Sequence, residues 1–285
     1  MKRALGIAVC LLLLGMREPA PWVELAPVGE IGQGGALLVK VHLEGASVKS
    51  VEARAFGAAL PLAAGAQGMI GLLGVDMNRE PGEYKVEVAL KLDDGKKVRL
   101  EAPFTVKARD FGTDRLTLPK DKVDLTAENL ARVEADQRAL ARTWAEPSAE
   151  LYWSGPFIRP VPGEVSGQFG KRRIINDQPR SPHTGQDLRA ALGEPVAACN
   201  RGRVALVRDC FFSGNSVVID HGLGLYSMYF HLSEVKVTEG ELVEKSQMIG
   251  LAGMSGRATG PHLHWGFRLL GARVDPDEIL ALPSP

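Results

Sequence analysis

Gly260-Pro261-His262-Leu263-His264-Trp265-Gly266 alternates imidazoles with large apolar side chains, the period of a strand with one buried face. Read so, His262 and His264 point the same way, with Cα atoms roughly 6–7 Å apart. Both could then bind one metal, or one could bind it while its neighbour reaches a metal-bound water. Spacing leaves these open, together with the plainer reading of two satisfied histidines on a polar face. Around this stretch, short apolar runs at 196–198, 204–207, 216–219 and 225–230 are separated by glycines, as a compact antiparallel sheet requires.

Five of the six histidines lie in this C-terminal half. Pro182-His183-Thr184-Gly185-Gln186-Asp187 sets an imidazole and a carboxylate four apart across a glycine, and a turn there brings both inward. Tyr229-Phe230-His231-Leu232 puts another histidine at the end of an expected strand. Neutral imidazole and carboxylate are both Zn²⁺ ligands, and a catalytic zinc site keeps three protein ligands and an open position for water. Further histidines beside such a site can orient the water, take its proton or stabilise an oxyanion. A serine-hydrolase reading is poorly served: Met254-Ser255-Gly256, preceded by Gly253, fits the nucleophile-elbow pattern only in part.

Upstream, residues 36–43, 48–55, 82–92 and 97–106 read as strands. The alternation from Tyr84 to Leu92 followed by Asp93-Asp94-Gly95 predicts a hairpin, and the segment as a whole a small β-sandwich over 21–108. His42 stands alone there and reads as structural. Between Asp124 and Glu146 the period becomes helical, with Leu130, Val133, Leu140 and Trp144 on one face. Thr126 serves as N-cap, Leu125 and Leu130 as a hydrophobic staple, and Pro147 ends the helix. This is the connector within a linker spanning 109–155, and 156–285 is the second domain.

With 34 basic and 34 acidic residues the formal net charge is zero, which gives no electrostatic case for a nucleic-acid partner. Met1-Lys2-Arg3 followed by an apolar run to Met16 reads as a signal peptide over 1–20. The run is too short for a comfortable membrane span. Export to the periplasm or cell envelope follows, with no stable span after cleavage and an uncleaved anchor as the alternative. Cys10 lies in the leader. If Asn200-Arg201-Gly202 is a tight turn, Cys199 and Cys210 sit roughly 20 Å apart, beyond disulfide reach, and read as buried thiols.

The ordered combination of H-x-G-x-D at His183, Y-x-H-L at His231 and G-x-H-L-H at His264 resembles the lysostaphin/LytM-type zinc metallopeptidases. Stretches 167–173, 193–196, 214–217 and 256–260 resemble that family too, and coverage runs roughly from Phe157 to Pro276. The resemblance implies a mainly β, antiparallel peptidase domain and one Zn²⁺ per chain held by His183, Asp187 and His264. It implies that His231 and His262 act on the water and the oxyanion, and that peptidoglycan amides are the substrate. Some relatives have lost ligands and serve as non-catalytic activators of amidases, the alternative function. His221 also fits the family pattern but reads as structural. Asn176 and Arg180 either line a groove or belong to a solvated loop. The upstream half resembles an Ig-like module, which implies positioning on the wall or on cell-envelope protein partners.

Overall fold

The computed structural model describes residues 20–116 and 125–285, so the expected leader, Ala20 apart, lies outside the described residues. No helix among the described residues is long and apolar enough to cross a membrane.

The predicted hairpin forms from Gly82–Leu92 and Lys97–Lys107, in the register Tyr84↔Phe104, Val86↔Ala102 and Val88↔Leu100. Val86, Val88 and Leu90 point inward and the residues between them outward, as the alternation requires. With Val48–Ala55, Ala58–Leu60 and Glu30–Gly32 the hairpin makes a five-stranded sheet, which faces a four-stranded one of Trp22–Ala26, Ala36–His42, Gly68–Gly74 and Leu62–Gly65. Leu37, Val39, Val41, Val88 and Phe104 form part of the core between them. Gly68–Gly74 was not predicted as a strand. It has no alternation because both its faces are covered: Leu73 enters the sandwich core, whereas Ile70 and Leu72 join the core of the C-terminal half.

The connector contains more than a helix. Thr113–Leu116 pairs parallel with Arg172–Ile175, so this part of the expected linker is a strand of the second half. The helix is Ala127–Thr143, with Thr126 Oγ1 accepting from Asn129 N at 3.2 Å. Its buried residues are Val133, Asp136 and Ala139, whereas Leu130 is 48% exposed. Of the predicted apolar face, Val133, Leu140 and Trp144 do pack inward, whereas Leu130 turns out and makes no buried staple. The reason is a polar anchor: the Asp136 carboxylate accepts from Arg208 Nε at 2.7 Å and from Phe211 N at 2.8 Å. Leu140 and Trp144 pack on Leu206, Val218, Tyr226 and Met228, which covers one face of the large sheet.

That sheet runs Val165–Gly167, Gly185–Arg189, His262–Leu269, Leu225–Leu232, Gly214–Gly222, Gly202–Cys210 and Leu242–Val243, with Ala272–Val274 beside His262–Leu269. The pairings along this order are antiparallel. A small sheet of Pro195–Ala197, Met248–Leu251 and Glu234–Val235 shares the core beneath its other face. The two halves meet through apolar contacts and through ion pairs of Arg273 with Asp76 at 2.6 Å and of Arg109 with Asp275 at 2.7 Å.

Candidate metal centre

Antiparallel pairing of Gly185–Arg189 with His262–Leu269 sets Asp187 directly opposite His264. His183, two residues before the first of these strands, is fixed by its own backbone: its carbonyl accepts from Gly170 N at 2.8 Å and its N–H donates to Lys171 O at 2.9 Å. Asp187 Oδ1 consequently lies 2.9 Å from His264 Nδ1 and 3.0 Å from His183 Nε2, and the two nitrogens are 3.0 Å apart. Ligand atoms on a tetrahedral zinc, with bonds of about 2.0–2.2 Å, lie roughly 3.3–3.5 Å from one another. Two imidazole nitrogens and a carboxylate oxygen are a suitable donor set, and a few tenths of an ångström of opening would admit the ion.

The glycine of the H-x-G-x-D motif has a local cause. A methyl group on Gly185 would stand 2.7 Å from His264 Nε2 and 2.5 Å from Trp265 O, so no side chain fits where the His264 ring crosses the strand. His183 Nδ1 is 2.8 Å from Gln168 O, which makes it the protonated nitrogen and leaves the Nε2 lone pair facing the cluster. His264 presents Nδ1 instead.

His231 and His262 complete the group. The His231 and His262 rings are 4.8 Å apart, His231 is 6.2 Å from the His264 ring, and His262 Nε2 is 3.8 Å from Asp187 Oδ1. Both donate Nδ1–H to a carbonyl, of Ser255 and Gly260 respectively, each at 2.8 Å. His231 has φ of 65°, a left-handed backbone uncommon outside glycine, next to a register shift opposite Asn215 and Val217. This irregularity accompanies the approach of its ring to His262 and His264, where plain strand alternation offers no such guide.

Burial raises the Asp187 carboxyl, but its contacts with the His183 and His264 imidazoles outweigh this and hold the group well below the usual carboxylate range. Burial lowers His264, and lowers His231 to about 4 against the smaller opposing effect of the Ser255 carbonyl.

All five residues singled out in the sequence thus meet in one place. Sequence reasoning missed Arg173, whose terminal nitrogen lies 3.8 Å from Asp187 Oδ2; its place at the end of the 167–173 stretch, ten residues before His183, was the available signal. It also missed the carbonyls of Gln168, Ser255 and Gly260, which no side chain announces. Ser255 Oγ donates to Leu232 O at 2.7 Å and accepts from Asn215 N at 2.9 Å, a structural tie that removes it as a nucleophile. His221 is fully buried, with Nδ1 2.8 Å from Arg201 O and Nε2 2.7 Å from Ser227 Oγ. Cys199 and Cys210 are buried and unbridged. His42 is buried, paired with Glu24 at 2.9 Å and stacked on Trp22.

Residues 181–276 match the model of peptidase family M23. Peptidoglycan DD-endopeptidase ShyA of Vibrio cholerae is 39% identical over 112 residues, 39% of this chain and 26% of the relative. DD-carboxypeptidase/endopeptidase Mpg of Neisseria meningitidis is 41% identical over 121 residues, 42% of this chain and 28% of the relative. The chain thus spans about a quarter of the length of these curated relatives. A crystal structure from Pseudomonas aeruginosa described as a peptidase M23 superposes with a TM-score of 0.67 at 28% identity, over 87% of this chain and 94% of that one. Motif, sheet and relatives agree, and the chain carries a peptidase family M23 domain of the lysostaphin/LytM type.

Proposed function

We propose that this chain is an exported zinc endopeptidase that hydrolyses amide bonds in the stem peptides or cross-links of peptidoglycan. The observation that carries the reading is the convergence of His183 Nε2, Asp187 Oδ1 and His264 Nδ1 to within 3.0 Å of one another. Bound there, Zn²⁺ would polarise the scissile carbonyl and activate water as a nucleophile. His183, Asp187 and His264 would hold the ion. The Nδ1–carbonyl bonds of His231 and His262 leave both Nε2 atoms for the reaction. His231, kept neutral at ordinary pH by burial, offers a lone pair to the proton of the attacking water. His262 faces the same space and steadies the oxygen that gains charge. The name of the ShyA relative, a peptidoglycan DD-endopeptidase, supports peptidoglycan as substrate, and the basic start and apolar run of residues 1–16 support export.

The test is metal content and turnover on purified sacculi, read as new amino groups. About one zinc per chain is expected, with zinc lost in His183→Ala and His264→Ala. His231→Ala and His262→Ala should keep zinc while turnover falls at least a hundredfold. A folded protein that binds no zinc and releases no amino groups would instead act without catalysis, as an activator of an amidase. Zinc loss in His262→Ala would show that the ligands within the H-x-H pair are wrongly divided.

A further inference from the structure

Three arginines beside the centre have no part in the hydrolysis just described. The hairpin of Arg172–Ile175 and Gln178–Arg180 is closed by Asn176 and Asp177, both left-handed with φ of 50° and 60°, and this register sets Arg173 directly opposite Arg180. Like charges facing each other across a strand pair destabilise it, so the hairpin gains nothing from this choice. Arg173 also reaches toward the centre, 3.8 Å from Asp187 Oδ2, and its Nε is buried with no hydrogen-bond partner among the described residues. A buried N–H left so is costly. Arg180 is exposed, and its guanidinium donates to the neutral Gln178 Oε1 at 2.9 Å.

The third arginine follows the loop that supports His231. Arg257 follows by two residues the Ser255 whose carbonyl holds His231, its backbone N–H donates to Phe212 O, and its guanidinium lies 4.1 Å over the Phe212 ring. Burial first, and then the charges of Arg173 and Arg180, draw its pKa down. The carboxylate that Arg173 approaches is Asp187, and its charge is already engaged by His183 and His264.

We propose that Arg173, Arg180 and Arg257 form a carboxylate clamp at the mouth of the metal centre, binding a free carboxylate of the substrate peptide close to the scissile amide. Guanidinium forks suit planar carboxylates and bind them bidentately. A bound carboxylate relieves the repulsion between the facing arginines and gives the buried Arg173 Nε an acceptor. The proposal rests on the hydrolase reading and narrows its substrate to acidic peptides: an amide at the same position would leave the cations uncompensated.

The test uses the intact chain with two synthetic cross-linked peptides that differ only in carrying free or amidated carboxylates next to the cross-link. The free acid is expected to be cleaved at least tenfold faster by kcat/KM. In Arg173→Gln/Arg180→Gln the ratio should fall to within about threefold, mainly through KM, with zinc content unchanged. The acid product peptide, titrated calorimetrically into the wild-type chain, should bind at low salt, weaken as salt rises, and bind at least tenfold more weakly to the double variant. Equal cleavage of both peptides, or an unchanged ratio in the double variant, overturns the clamp and leaves the hydrolase reading standing. Failure to cleave either peptide while the product still binds in an arginine-dependent way overturns the hydrolase reading and keeps the clamp. A wild-type chain that neither discriminates nor binds the product overturns the clamp. Should Arg173→Gln alone lose zinc and leave the ratio intact, Arg173 only orients Asp187, and the clamp is likewise overturned.

Discussion

At the scale of single residues, the histidines divide by what their environments do to the proton. His221, fully enclosed between the Arg201 carbonyl and Ser227, is pulled by burial to about 4 from an ordinary 6.5. An unfolded chain therefore takes up this proton first, and the stability tied to neutral His221 is present in full above pH 6.5. It is lost as pH falls through 4, and amounts to about 3 kcal/mol. Urea unfolding at pH 7 and near pH 4 should show this loss in the wild-type chain and a flatter profile in His221→Asn. Parallel profiles would refute the assignment. The side chains of the candidate centre were legible because imidazoles are few and their spacing carries meaning. The clamp was only half legible: Arg180 stood out, but whether two arginines face each other depends on a register set by a two-residue turn. Carbonyl acceptors such as Gln168 O were illegible in principle, since every residue has one.

At the scale of elements, the loop that holds His183 is supported from outside the family-matched segment. Phe111 lies edge-on to Phe169 at 5.7 Å and covers Gly170, the residue whose N–H bonds the His183 carbonyl. Gly112 O accepts from Arg172 N at 3.1 Å, and Lys171 pairs with Asp114 at 2.9 Å. Supports of this kind tune ligand geometry, and their removal commonly costs about 10–100-fold in metal affinity. Phe111→Ala should thus lower zinc affinity about tenfold in a competition titration while leaving the circular dichroism spectrum native, and Phe111→Leu should recover most of it. Unchanged affinity in the alanine variant would mean that the loop needs no such support. Strands with one wet face were legible by alternation, as with Gly82–Leu92. Gly68–Gly74 was not, because burial on both sides erases the period, and Leu130 alone was misplaced on the helix's packed face because a buried aspartate, Asp136, takes part of it.

At the scale of the whole molecule, the two halves share a core. Ala36, Leu38, Ile70 and Leu72 belong to the same buried cluster as Trp265, Val274 and Ile279, and a methyl on Gly74 would press on Leu269 O at 2.9 Å. Halves joined this way should melt as one unit. Calorimetry is expected to show a single transition, and Leu72→Ala, at a fully buried site, should lower it by several °C, in keeping with a cost of about 2–5 kcal/mol. Two separate transitions, with one of them unmoved by Leu72→Ala, would contradict this. The interface escaped sequence reading because its residues are of the same kinds as those of either core, and nothing in their order says which partner they meet.

The ring of Phe111 seated over the bare backbone of Gly170 carries a consequence for descent. Neither position can drift alone: any side chain at 170 evicts the ring, and a smaller residue at 111 leaves a hollow under the loop that holds His183. In lineages that keep this architecture the two sites should change as a pair. A recombination event that joins a foreign N-terminal module upstream of the family-matched segment would have to bring its own match for both.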